Sequence, residues 1–157
     1  MKMTWTRGLA IGFIATGIML SGCSDDGDAY DGLFSERQAN ANQASIFGVW
    51  GTSVDDSQIV DYRLRFARDT VTFAARCKSA DGRASKVVGV TAASEVTEQR
   101  VVIKESAKEE IYVASNEKCT LSLHPGTHPV QIVDGKMQLP LATEDGSIEA
   151  TWEKMTD

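Results

Sequence analysis

The chain of 157 residues lacks most of what enzymes are recognised by. It has no G-x-S-x-G elbow, no phosphate loop and no dinucleotide glycine fingerprint. Its adjacent carboxylates, Asp55-Asp56 and Glu109-Glu110, do not substitute for a catalytic pair, because neighbours on a strand point to opposite faces and cannot flank one bond. Histidine is scarce. Both copies lie in His124-Pro-Gly-Thr-His128-Pro, where Pro125 and Gly126 forbid the helix that would align two imidazoles for zinc; a strand end and tight turn with two exposed histidines is expected instead. No enzymatic activity, metal or cofactor is therefore expected. Acid is missing before Cys23, and from Cys23 onward 14 basic residues face 22 acidic ones, a net of −8. Such a chain is repelled by phosphate backbones, which argues against nucleic-acid partners and against a polybasic membrane patch. A membrane-spanning run is absent too, since the one apolar stretch, Leu9 to Leu20, is too short to cross about 30 Å of hydrocarbon as a helix.

That stretch, preceded by Lys2 and Arg7, has the length of a signal-peptide core and runs directly into Leu20-Ser21-Gly22-Cys23. These four residues resemble the lipobox of bacterial lipoproteins. The resemblance implies cleavage after Gly22, a diacylglyceryl group on Cys23 and acylation of its new amino group. Several acyl chains, each gaining about 0.8 kcal/mol per buried methylene, make a lasting anchor where one would be marginal. Ser24, rather than aspartate, follows the cysteine, which in that family favours the outer membrane; the protein would be lipid-anchored and face the periplasm.

Residues 24–44 hold five acids, one arginine and few large apolar side chains, a composition expected to form a flexible tether of roughly 25 Å typical span. Asp25, Asp26, Asp28 and Asp31 invite a calcium reading, but Tyr30 occupies the third carboxylate position of a D-x-D-x-D spacing and no bidentate glutamate closes the loop. An acidic spacer is expected.

From Ser45 to the C-terminus no stretch keeps an apolar 3.6-residue period over three turns, and the pattern becomes β-branched and aromatic runs divided by turn residues. Tyr62, Leu64 and Phe66 alternate with Arg63 and Arg65; Val71, Phe73, Ala75 and Cys77 alternate with Thr70, Thr72 and Arg76. Both read as half-buried strands, joined by a hairpin at Arg68-Asp69. Further strands are expected at 86–91, 100–104, 111–114, 118–124, 130–133, 136–141 and 148–155, with turns at Asp81-Gly82, Asp134-Gly135 and Asp145-Gly146 and another at Ser106 to Glu110. Nine or ten short strands in one domain, residues 45–157, predict an all-β fold: a small antiparallel β-barrel or a sandwich. Cys77 and Cys119, the pair left once Cys23 is lipidated, share the inward parity of their strands in a compartment that permits oxidation, which predicts one disulfide.

The domain opens on Ile46-Phe47-Gly48-Val49-Trp50-Gly51-Thr52. Gly48-x-Trp50 resembles the first-strand signature of the lipocalins and their calycin relatives, in which the tryptophan plugs the closed end of a barrel under a basic residue of the last strand. The resemblance implies that role for Trp50, with Trp152 or Lys154 beside it, and implies a lipocalin-like binding module for a small apolar ligand or an envelope component. Trp50, Tyr62, Phe66 and Phe73 are then the candidate lining residues of a ligand cavity. The other reading is a protein-directed role, an inhibitor or immunity protein acting on a basic hydrolase, or an assembly factor of an envelope complex. An acidic surface suits such a partner by electrostatic steering.

Overall fold

A computed structural model describes residues 30–34, 45–143 and 146–155. Cys23, the leader, most of the acidic segment and Asp145 of the last expected turn lie outside the described residues. Thirteen strands follow one short helix: α1 (Asp31–Phe34), β1 (Gly48–Ser53), β2 (Ile59–Phe66), β3 (Thr70–Lys78), β4 (Ser85–Thr97), β5 (Arg100–Ile103), β6 (Ala107–Ala114), β7 (Glu117–Leu123), β8 (Gly126–Pro129), β9 (Gln131–Val133), β10 (Lys136–Gln138), β11 (Leu141–Thr143), β12 (Gly146–Ile148) and β13 (Thr151–Lys154).

Nine of them form one antiparallel sheet in the order β8-β5-β4-β3-β2-β1-β13-β10-β9. The two end strands, β8 and β9, are consecutive in the chain, separated only by Val130, whose N–H donates to Gln99 O at 2.9 Å. One bent stretch of chain thus pairs with β5 on one side and β10 on the other, and the sheet curls into a nearly closed barrel that hides its edges. The alternation of β2 and β3 holds in the pairing: Leu64 faces Trp50 and Phe73, and Phe66 faces Gly48 and Val71. Trp50, Leu64, Phe66, Phe73, Met137 and Trp152 are fully buried in one core, with Tyr62 stacked on Phe73 at 5.2 Å and Phe73 edge-on to Trp152 at 6.5 Å.

β6 and β7 form a separate hairpin beside the β3–β4 turn. Lys86 Nζ donates to Tyr112 O at 2.7 Å and Ala80 N to Glu117 Oε2 at 2.7 Å. The Cys77–Cys119 disulfide, Cα–Cα 6.3 Å, staples this hairpin to β3, with Leu121 and Leu123 buried alongside Cys119.

Four expectations are corrected. The nine or ten expected strands become thirteen, in part because the runs expected at 136–141 and 148–155 each divide into two short strands. Ser106 to Glu110 is not a turn, because β6 starts at Ala107, paired with Leu123; Glu109 stands exposed at an inward parity position and masks the period that Ile111 and Val113 carry. The strand expected at 86–91 runs on to Thr97, its inward positions Ala92 and Ser94 being too small or polar to signal burial. The His124 to His128 segment is not an exposed turn: Gly126–Pro129 pairs with β5, and His128, opposite Val101, is 9% exposed. Asp134 and Gly135 both take positive φ, 52° and 75°, and close the β9–β10 hairpin as expected of such a pair.

Candidate functional site

One end of the barrel is capped by the residues preceding β1. Gly48 has φ 123°, a conformation that L side chains rarely adopt, and the chain before it folds across the barrel end. The Trp50 indole N–H donates to Ile46 O at 2.7 Å. Lys154 Nζ donates to Ser45 O and Phe47 O at 2.5 and 2.6 Å and lies 4.9 Å from the Trp50 ring centroid. Glu98 accepts from Ser45 Oγ and Ile46 N, both at 2.9 Å. The carbonyls of three successive residues and one N–H are thereby satisfied in a buried to part-buried setting. Burial pulls the Lys154 ammonium below the ordinary lysine range, with the Glu98 carboxylate opposing that shift. Trp50 and Lys154 thus stand in the arrangement expected from the sequence.

Of the four candidate lining residues, Trp50, Phe66 and Phe73 are buried in the core and pack on other core side chains. Tyr62 also borders an open recess of about 390 Å³ on the outside of the barrel, within the range of roughly 300–1,000 Å³ common for ligand sites. Gly51 and Ser53 of β1, Asp61 and Arg63 of β2, Glu153 of β13 and Met155 shape it. Strand parity places Gly51, Asp61 and Arg63 on the outer face, opposite the Trp50 and Leu64 side. Gly51 matters because a Cβ there would lie 2.8 Å from Met155 Sδ; without one, Met155 folds over the strand. At the rim Lys136 Nζ meets Glu153 Oε1 at 2.9 Å, which raises the lysine and lowers the carboxyl from their ordinary ranges. The lining offers hydroxyls, both signs of charge and one polarisable thioether, which suits a polypeptide segment better than an aliphatic chain.

Next to the recess lies a feature the sequence did not indicate. Tyr30, in the segment expected to be a tether, is 1% exposed; its hydroxyl donates to Asp61 Oδ1, and the Arg63 guanidinium carbon lies 3.9 Å from its ring centroid. Arg76 Nη2 donates to the other oxygen of Asp61 at 2.5 Å. Burial, then the hydrogen bond and charge of Asp61, push the Tyr30 phenol far above its ordinary range. Leu33 sits over Gly89, where a Cβ would lie 2.6 Å from Leu33 Cδ1. Ala74, cross-strand from Gly89 on the outer face, is fully buried. The outward small residues Ala74 and Gly89 were the available signal, but their adjacency needs the register.

Among the described residues no group of three or more His, Cys, Asp or Glu could hold a metal ion, and no helix is long and apolar enough to cross a membrane. Comparison of the chain with protein-family models, with curated proteins and with solved structures finds no match.

Proposed function

We propose that this is a non-catalytic envelope lipoprotein, anchored through Cys23, whose barrel binds an envelope protein through the outer recess between β2 and β13. A nearly closed, disulfide-stapled β-barrel fits a binding module generally. The observation that carries the finer reading is the contrast between interior and exterior. The inward aromatic side chains are engaged with one another, while the recess on the outer face is open, polar-edged and large enough for a peptide segment. This favours the protein-directed role over a small apolar ligand held inside.

The test pairs two measurements. A photoreactive amino acid replaces Ser53 in the full-length chain expressed in bacteria, and envelope cross-links are identified with and without Arg63→Glu. In parallel, phospholipids and fatty acids are titrated into purified protein while tryptophan emission is followed, since Trp50 and Trp152 are both buried in the core. A single protein adduct that Arg63→Glu removes, with no saturable lipid response, supports the proposal. Saturable lipid quenching that Phe66→Ala weakens, without such an adduct, overturns it in favour of the interior cavity.

A further inference from the structure

We infer that the lipidated protein does not swing freely but stands with the outer face of β2, β3 and β4 against the bilayer, held there by docking of the Tyr30–Phe34 segment. The inference rests on the reading of Cys23 as the lipid anchor.

The docked segment shortens the leash. Between Cys23 and Tyr30 lie only residues 24–29, so at about 3.3–3.6 Å per residue the Cys23 Cα and the Tyr30 Cα can be separated by at most ~25 Å. Measured instead to Ser45, the same chain would reach roughly 75 Å. Tyr30 is fixed on the β2–β3 face by Asp61 and Arg63, and Leu33 by the notch at Gly89 on β4. Neither Tyr30 nor Ala74 belongs to the barrel's interior core, so the segment and its notch are a separate small packing unit. Whatever the acyl chains hold, they hold close to this face.

On this face Arg63, Arg65 and Arg76 take outward parity, with Arg76 paired to Asp61, Arg63 over the Tyr30 ring, and Glu95 on the same parity of β4. The leash carries Asp25, Asp26 and Asp28 and the docked segment Asp31, close enough to escape screening, so charge does not by itself turn this face toward an anionic leaflet. The short leash selects this side. The recess shares Asp61 and Arg63 with this face, so its mouth would open beside the membrane surface and receive a partner there.

The experiment uses the mature lipidated chain, isotope-labelled, in nanodiscs of phosphatidylethanolamine and phosphatidylglycerol at three to one, with gadolinium chelated on a fraction of the head groups. Amide broadening is compared between Arg65, Thr72 and Thr91 on the docked side and Ile132 and Met137 across the barrel. Severalfold stronger broadening on the docked side is expected, and Tyr30→Ala and Gly89→Val, which act on opposite partners of the contact, should each equalise the two sides with core chemical shifts unchanged. Acylated Cys23 with equal broadening in the wild type, or contrast that survives both substitutions, overturns the inference alone. A mass spectrum with no acyl group on Cys23 overturns the anchor reading and the inference together.

Discussion

Reducing the Cys77–Cys119 bond should loosen one part of the molecule far more than the rest. The bond joins residues 42 apart in sequence, and the chain-entropy relation for a loop of that size gives about 4 kcal/mol at 25 °C. That is a large share of the 5–15 kcal/mol typical of a whole domain. The location sharpens the expectation. Among the described residues β6 and β7 pair only with each other, so apart from the disulfide the hairpin is held by side chains such as Val113, Leu121 and Leu123 and by polar contacts such as Lys86 to Tyr112 O. Urea unfolding followed by tryptophan emission would compare oxidised protein with protein unfolded, reduced by a phosphine and refolded in reductant, so that only the covalent bond differs. With an m of roughly 2 kcal/mol/M, the midpoint should fall by about 2 M, and m should rise as the reduced unfolded chain expands. Hydrogen exchange should show the amides of β6 and β7 losing protection while those of β1 to β3 keep most of theirs. A stability difference below about 1 kcal/mol, or a uniform loss of protection, would refute the staple argument.

Lys154→Met should lower stability by about 1–3 kcal/mol in the same urea assay, because the part-buried carbonyls of Ser45 and Phe47 lose a charged donor and Trp50 its cation; a loss under about 0.5 kcal/mol would mean that water replaces the ammonium without penalty. The raised phenol of Tyr30 has a definite sign: docking is at full strength below the unfolded tyrosine value of 10.0 and weakens above it, by up to about 1.4 kcal/mol per pH unit, as the unfolded or undocked phenol gives up its proton. Alkaline titration watching the Gly89 amide shift should therefore show release beginning near pH 10 in wild type and no such step in Tyr30→Phe. Gly51→Val should displace Met155 and fill the recess with a stability change within about 1 kcal/mol, because the clashing atom belongs to a flexible side chain, while the Ser53 cross-link disappears; an undiminished cross-link would remove the recess from consideration.

What the sequence disclosed and what it concealed divide along a physical line. A strand's own parity is local information: Tyr62-Leu64-Phe66 and Phe73-Ala75-Cys77 were legible because large apolar and charged residues alternate within one run, and the same parity brought Cys77 and Cys119 to a common side. The cap was expected only through the resemblance that Gly48-x-Trp50 carries, not from strand parity. The second half of β4 was hidden by small inward residues, β6 by Glu109, and β8 by a Pro-Gly pair that reads as a turn until β5 is found beside it. The outer sites were hidden for a different reason. A recess or a docking notch on a sheet is made by residues that are neighbours across strands, and Ala74 beside Gly89, or Gly51 beside Arg63, acquires meaning only from the register. Each of these small outward residues sits under or beside something brought from far along the chain, Leu33 over Gly89 and Met155 over Gly51. A small residue at an outward strand position gives up side-chain packing and β-propensity, and on a solvent-facing surface nothing would offset that loss. Where such residues gather on one face, the face is built to be covered, and here one notch holds its own chain while the neighbouring recess stands open.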